Sequence, residues 1–251
     1  MQVTDRHLDT IRTSFILICG SPGIGKTTFS NQLRIHASKR GLTTFLISYD
    51  DLIDTQLESR LILGNENGPD WKSARMHIAR LVKALVCFID QSEIQHFETF
   101  LTTQIDPIME PESSDSHTLI EKRFLKAIGK HFTVSACNLI ILDDLFYYAS
   151  MRHTFYKLAV ELACGYMSFC FRVDSLDFLL GRNATREPTK RLDAKIIANV
   201  YAKFEYASEN EWEREFTRDV NQTWVIRLSN SKFAMHLHWL IQCSTFLKKK
   251  N

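Results

Sequence analysis

What this 251-residue chain lacks narrows its class before any motif is read. Its six cysteines (Cys19, Cys87, Cys137, Cys164, Cys170 and Cys243) include no C-x-x-C spacing and sit mostly inside apolar runs, so buried, reduced thiols are expected. No apolar run approaches the roughly 18 residues of a membrane span, and the opening MQVTDRHLDTIRTS carries acids and no apolar core of signal-peptide length. The expectation is a cytoplasmic protein with no membrane partner. Charge of one sign is also missing. A formal net charge of +2 neither demands nor excludes a polyanionic partner, so any such argument must rest on local clusters. Internal repeats and low-complexity segments are absent, and two of the five prolines fall in one stretch, DPIMEPESSDS at 106–116, which reads as a surface loop.

What is present is the composition of a globular protein, 45% hydrophobic and 24% charged, enough for one large α/β domain or one domain with a small appendage. Short, uninterrupted apolar runs at 14–19, 43–48, 138–144, 167–173 and 223–228 predict buried strands. Helical patterns lie between them: 26–39, a long one from Asp70, 118–132, 150–164, the stretch SLDFLLGRN, and a final one through Leu237, Leu240 and Phe246. Buried strands alternating with helices imply a mostly parallel sheet of about five strands covered on both faces, a three-layer αβα sandwich.

The first strand runs into Gly20-Ser21-Pro22-Gly23-Ile24-Gly25-Lys26-Thr27-Thr28, which fits the Walker A pattern between a strand and a helix. Glycines let the backbone wrap with its N–H groups aimed inward, and the helix N-terminus adds partial positive charge. Lys26 would reach the β- and γ-phosphates of a nucleoside triphosphate, and the Thr27 hydroxyl would bind Mg²⁺. The fold class predicted is a P-loop NTPase of the kinase type.

Three further features favour a kinase over a switch or a motor. Asp50 and Asp51 stand at the carboxyl end of the second strand, where ligands bind in open parallel sheets; a carboxylate there can orient a hydroxyl and accept its proton, or simply cap a turn. Asp143 and Asp144 end the third strand in the Walker B manner, with Asp143 the expected Mg²⁺ partner. GRNATREPTKR, 181–191, gathers Arg182, Arg186, Lys190 and Arg191 into a segment that could close as a lid on the transferring phosphoryl group, or be a solvated helix face. No guanine-recognition motif of the switch type is evident.

Together these pieces resemble the L-seryl-tRNA(Sec) kinases. LDDLFYYASMRHTFYKLA at 142–159 is similar to that family's D-D-x-x-Y-Y-x-S-M-R, and the likeness extends to SYDDLI at 48–53, Trp71-Lys72-x-x-Arg75, RNATR, and NEWE at 210–213. The resemblance covers about residues 14–213, weakly between 92 and 137, and Tyr147, Tyr148, Ser150, Met151 and Arg152 in series carry most of its specificity. It implies transfer of the γ-phosphate of ATP, with Mg²⁺, to the seryl hydroxyl of seryl-tRNA(Sec). On matching positions Lys26 and Thr27 hold ATP and Mg²⁺, Asp51 (with Asp50 as the alternate) activates the hydroxyl, and Arg182 and Arg186 face the transferred phosphate. Arg152 either pairs ionically behind the Walker B segment or acts in the site.

Three departures qualify the likeness: Leu145 replaces a polar asparagine, Asp54 stands where archaeal members carry arginine, and only a short helix and the tail Lys248-Lys249-Lys250 at 229–251 stand where members carry a helical tRNA-gripping module. The domain expected is therefore residues 1–228 with a lid near 182–191. A tRNA-binding ATPase of the Elongator-associated type and a small-metabolite kinase stay open as alternatives, as does a homodimer.

Overall fold

A computed structural model describes residues 11–54, 57, 71–91, 97–104, 115–129, 134–188, 191–207 and 210–220. In chain order the elements are β1 (Arg12–Gly20), α1 (Lys26–Ser38), β2 (Thr43–Ser48), α2 (Tyr49–Leu52), α3 (Trp71–Asp90), α4 (Phe97–Gln104) and α5 (Asp115–Ile128). After these come β3 (Cys137–Asp143), α6 (Ala149–Glu161), β4 (Gly165–Phe171), α7 (Leu176–Ala184), α8 (Ala194–Ala202), α9 (Glu211–Arg214) and β5 (Thr217–Val220).

The five strands form one sheet in the order β2-β3-β1-β4-β5, and every pairing is parallel. Each strand's successive side chains enter opposite layers, which is why the runs read as continuously apolar. Phe15, Leu17 and Cys19 face one core with Phe45, Ile47, Ile140 and Leu142, beneath α3, α5 and α6. Ile16 and Ile18 face the other with Leu139, Ile141, Met167 and Phe169, beneath α1. The expected three-layer, P-loop α/β class is therefore the fold observed.

The register matters for the site. Ser48 and Ile18 both lie level with Asp143, and Gly20 lies level with Phe171. The aspartates after β2, those ending β3, and the glycine loop after β1 consequently emerge along one rim.

The predicted strand at 223–228 and the C-terminal helix and tail lie outside the described residues. The fifth strand observed is Thr217–Val220, the sequence TRDV, whose polar, half-exposed pattern carries no buried-strand signal. Helices α4 and α9 were likewise not expected as separate elements. Among the described cysteines, Cys19, Cys164 and Cys170 are buried free thiols, while Cys87 and Cys137 are half-buried. No helix among the described residues is long and apolar enough to cross a membrane.

Candidate phosphoryl-transfer site

The loop after β1 is built by its glycines. Gly20 has φ +154°, and a Cβ placed there would meet the Cβ of Phe171 at 2.7 Å. Any larger residue would push β1 from β4 where the loop begins. Gly25, in the left-handed region at φ +107°, caps α1 with no side-chain hydrogen bond. The first N–H groups of that 13-residue helix thus have no side-chain cap and face the loop, an arrangement suited to phosphate oxygens.

Lys26 arches back over the loop, its Nζ donating to the carbonyls of Gly20 (2.8 Å) and Ser21 (2.9 Å). Burial pushes its pKa down; Asp143, Asp50 and Asp144, in that order, oppose the shift. Ser21, Pro22 and Ile24 are buried in the loop, while Thr27 and Thr28 open to solvent from the first turn of α1.

Asp143 is buried at 4% exposure beside the Thr27 side chain, and its Oδ2 has no hydrogen-bond partner. Burial raises its pKa, against the pull of Lys26 and the Thr27 side chain. Two hard oxygen ligands, one of them buried and unsatisfied, fit Mg²⁺. The described residues hold no group of three or more His, Cys, Asp or Glu able to enclose a metal, so the rest of a magnesium shell would come from phosphate oxygens and water.

Asp144 is differently committed. Its carboxylate forms an ion pair with Arg75, whose guanidinium sits 4.7 Å from the Tyr49 ring centroid, 5.7 Å from that of Phe146 and 5.8 Å from that of Trp71. Three motifs far apart in sequence, SYDDLI, W-K-x-x-R and D-D-x-x-Y-Y, meet in this cage. Leu145 contributes through its backbone, its carbonyl accepting from the N–H of Gly20 at 3.1 Å. The absent asparagine side chain therefore leaves that loop contact intact.

Asp50 and Asp51 occupy the short helix α2. Asp50 is exposed; its surroundings nonetheless raise its pKa, chiefly through partial desolvation, an effect opposed by Lys26 and Arg186 and reinforced by Asp144 and Asp51. Asp51 is exposed. The Asp50 carboxylate lies in the field of both cations, Lys26 and Arg186. The helix is held at both ends: Tyr49 is buried under Arg75, and Arg123 of α5 donates to the Leu52 carbonyl (2.9 Å) and ion-pairs with Asp54. Asp54, at the family's arginine position, thus belongs to the scaffold of α2.

Arg186 lies just beyond α7 and acts on Asp50, whereas Arg182 is exposed with its guanidinium 5.8 Å from the ring centroid of Phe178 in its own helix. The buried Asn183 clips this segment, accepting from Leu192 N–H at 3.0 Å and donating to its carbonyl at 2.8 Å. Lys190 lies outside the described residues.

Arg152 resolves its two alternatives in favour of a structural ion pair. It is fully buried, pairs bidentately with the equally buried Glu213, and donates to the carbonyls of Phe146 (2.6 Å) and Glu205 (2.8 Å). The S-M-R and NEWE motifs are therefore the two halves of one clamp. Glu205 adds to it by accepting from Ala149 N–H at 2.6 Å, capping α6. Sequence reasoning missed Arg123 and Glu205 because only their partners lie in quoted motifs.

Fold and loop define a P-loop NTPase of the α/β class. The resemblance to L-seryl-tRNA(Sec) kinases stands: the chain is 29% identical over 216 residues to the L-seryl-tRNA(Sec) kinase of Mus musculus, covering 78% of this chain and 56% of that protein. The chain thus spans little more than half the length of that relative. No protein-family profile matches. Similar solved structures include Chaetomium thermophilum Kti12 in complex with ADP-AlF3 (TM-score 0.45, 15% identity, 82% of this chain and 88% of that one). Another is the Mycobacterium tuberculosis APS kinase CysC with AMPPNP and APS (TM-score 0.39, 13% identity, 88% and 99%). At such TM-scores these likenesses decide nothing about function.

Proposed function

We propose that this protein is an ATP- and Mg²⁺-dependent kinase that phosphorylates the seryl hydroxyl of seryl-tRNA(Sec). The observation that carries the reading is the shared rim: Lys26 arches over the glycine loop, Asp143 keeps an unpartnered buried oxygen, and Asp50 follows the end of β2 level with it, in a chain similar to a protein of that name.

The residues divide the chemistry as follows. The loop N–H groups and Lys26 hold the β- and γ-phosphates; Thr27 and Asp143 hold Mg²⁺, which when bound neutralises charge on the phosphate oxygens. Asp50 replaces Asp51 as the preferred base: it accepts the seryl proton while Oγ attacks the γ-phosphorus and the bond to the β–γ bridging oxygen breaks, releasing ADP. Its raised pKa improves its match to a base working near neutrality. Arg186, with Arg182 if the segment closes, offsets charge on the phosphoryl group in flight.

The test is transfer from γ-labelled ATP to seryl-tRNA(Sec), followed by hydrolysis of the ester and separation of the products. Labelled phosphoserine is expected. Free phosphate alone would favour a tRNA-dependent ATPase, and labelling of a free hydroxyl metabolite without RNA would favour a metabolite kinase.

A further inference from the structure

The loop between β3 and α6 carries a strained residue. Phe146 has φ +42°, a conformation that bulky side chains rarely adopt. The buried Arg152 fixes it by gripping its carbonyl at 2.6 Å. Strain of this kind persists where the surroundings over-determine it, and it gathers at functional sites. Its local effect is clear. The Phe146 ring drops into the core against Tyr49 (5.6 Å between centroids) and Phe155 (5.7 Å), while the next two residues stay on the rim.

Those residues are Tyr147 and Tyr148. Their rings lie 4.2 Å apart at 43°, and both are half-buried, Tyr147 resting in part against the core and Tyr148 outside it. Tyr147 stands in the field of Arg75 and Asp144, and Asp144 in turn acts on Asp50. Phe146, the residue before Tyr147, packs on Tyr49, the residue before Asp50, so the aromatic pair and the carboxylate assigned to the acceptor follow the two sides of one contact.

The sheet order separates this pair from the arginine segment. From the central β1 with its phosphate loop, α2 and the tyrosine loop lie together on the β2–β3 side, whereas the arginine segment after α7 follows β4 on the other. Resting on the reading of the site given above, we propose that Tyr147 and Tyr148 form a stacking platform for the base of an RNA's terminal nucleoside, the one esterified by the serine whose hydroxyl accepts the phosphoryl group. A flat, amphipathic pair suits this because any base presents a π-face, and unpaired RNA ends are held by stacking on aromatic side chains.

The probe is a CCA trinucleotide with 2-aminopurine as its terminal base, added to the full chain with the phosphate loop saturated by a non-hydrolysable ATP analogue. Its fluorescence should be quenched by the parent and by Tyr148→Phe, and not by Tyr148→Ala. With seryl-tRNA as substrate, Tyr148→Ala should raise KM roughly tenfold or more with kcat unchanged, and Tyr148→Phe should restore it. No quenching by the parent, or equal quenching by Tyr148→Ala, overturns the platform. Quenching without any phosphorylated serine keeps the platform and removes the kinase reading; phosphoserine without quenching does the reverse.

Discussion

The ends of β2 and β3 each present two consecutive aspartates to the same rim, and each pair divides its work between the two members. At β3, Asp143 turns toward Thr27 and Lys26 with an oxygen left over, while Asp144 is neutralised by Arg75. At β2, Asp50 feels Lys26 and Arg186, and Asp51 is exposed on the short α2 helix. The difference lies in how the second member is handled. A carboxylate that stays buried beside the phosphate site needs a cation of its own, and Arg75 supplies it in a cage of three aromatic rings. A carboxylate left in water needs none. The β3 end is thereby rigid, and the β2 end is a short helix steadied from outside by Arg75 and Arg123.

Removing those two arginines should separate the regions. Arg75→Leu strands Asp144 as a buried charge and should cost about 3 kcal/mol of stability. Arg123→Leu breaks a partly exposed pair and should cost roughly 0–1 kcal/mol. Urea unfolding of both variants checks this, and equal losses would erase the distinction between a rigid and a merely steadied end.

A smaller, pH-dependent effect should reach both regions together, because α3 and α5, which carry the two arginines, meet at stacked His77 and His117 rings 4.4 Å apart. Burial lowers the pKa of His117 below its ordinary 6.5; His77 and Arg80 add to the shift, and Glu121 opposes it. A histidine with a lowered folded pKa contributes stability that is full above the unfolded value and lost as pH falls below it. Stability should therefore decline on acidification from about 6.5, and less so in His117→Gln; thermal melts across that range measure it. Parallel declines in parent and variant would contradict the assignment.

The glycine loop and four of the strands were legible because their signals are local: a fixed spacing of Gly20, Gly25 and Lys26, and apolar runs buried on both faces. β5 was not, since TRDV is a short polar edge that only its neighbour β4 makes into a strand. The clamps were invisible for another reason. Arg152 meets Glu213 across 61 residues, and Arg75–Asp144 and Arg123–Asp54 each span 69, so no periodicity links the partners. The choice between Asp50 and Asp51 fails at the finest scale. One residue along a helix turns a side chain by about 100°, and both members satisfy the same motif.

The central claim is that one carboxylate at the end of β2 serves the acceptor across from Lys26. Transfer of labelled γ-phosphate to seryl-tRNA(Sec) by Asp50→Asn and Asp51→Asn, side by side, tests it most directly. Asp50→Asn should bind ATP normally and lose about 10²–10⁴-fold in kcat, with Asp51→Asn close to the parent. An inactive Asp51→Asn beside an active Asp50→Asn would contradict it.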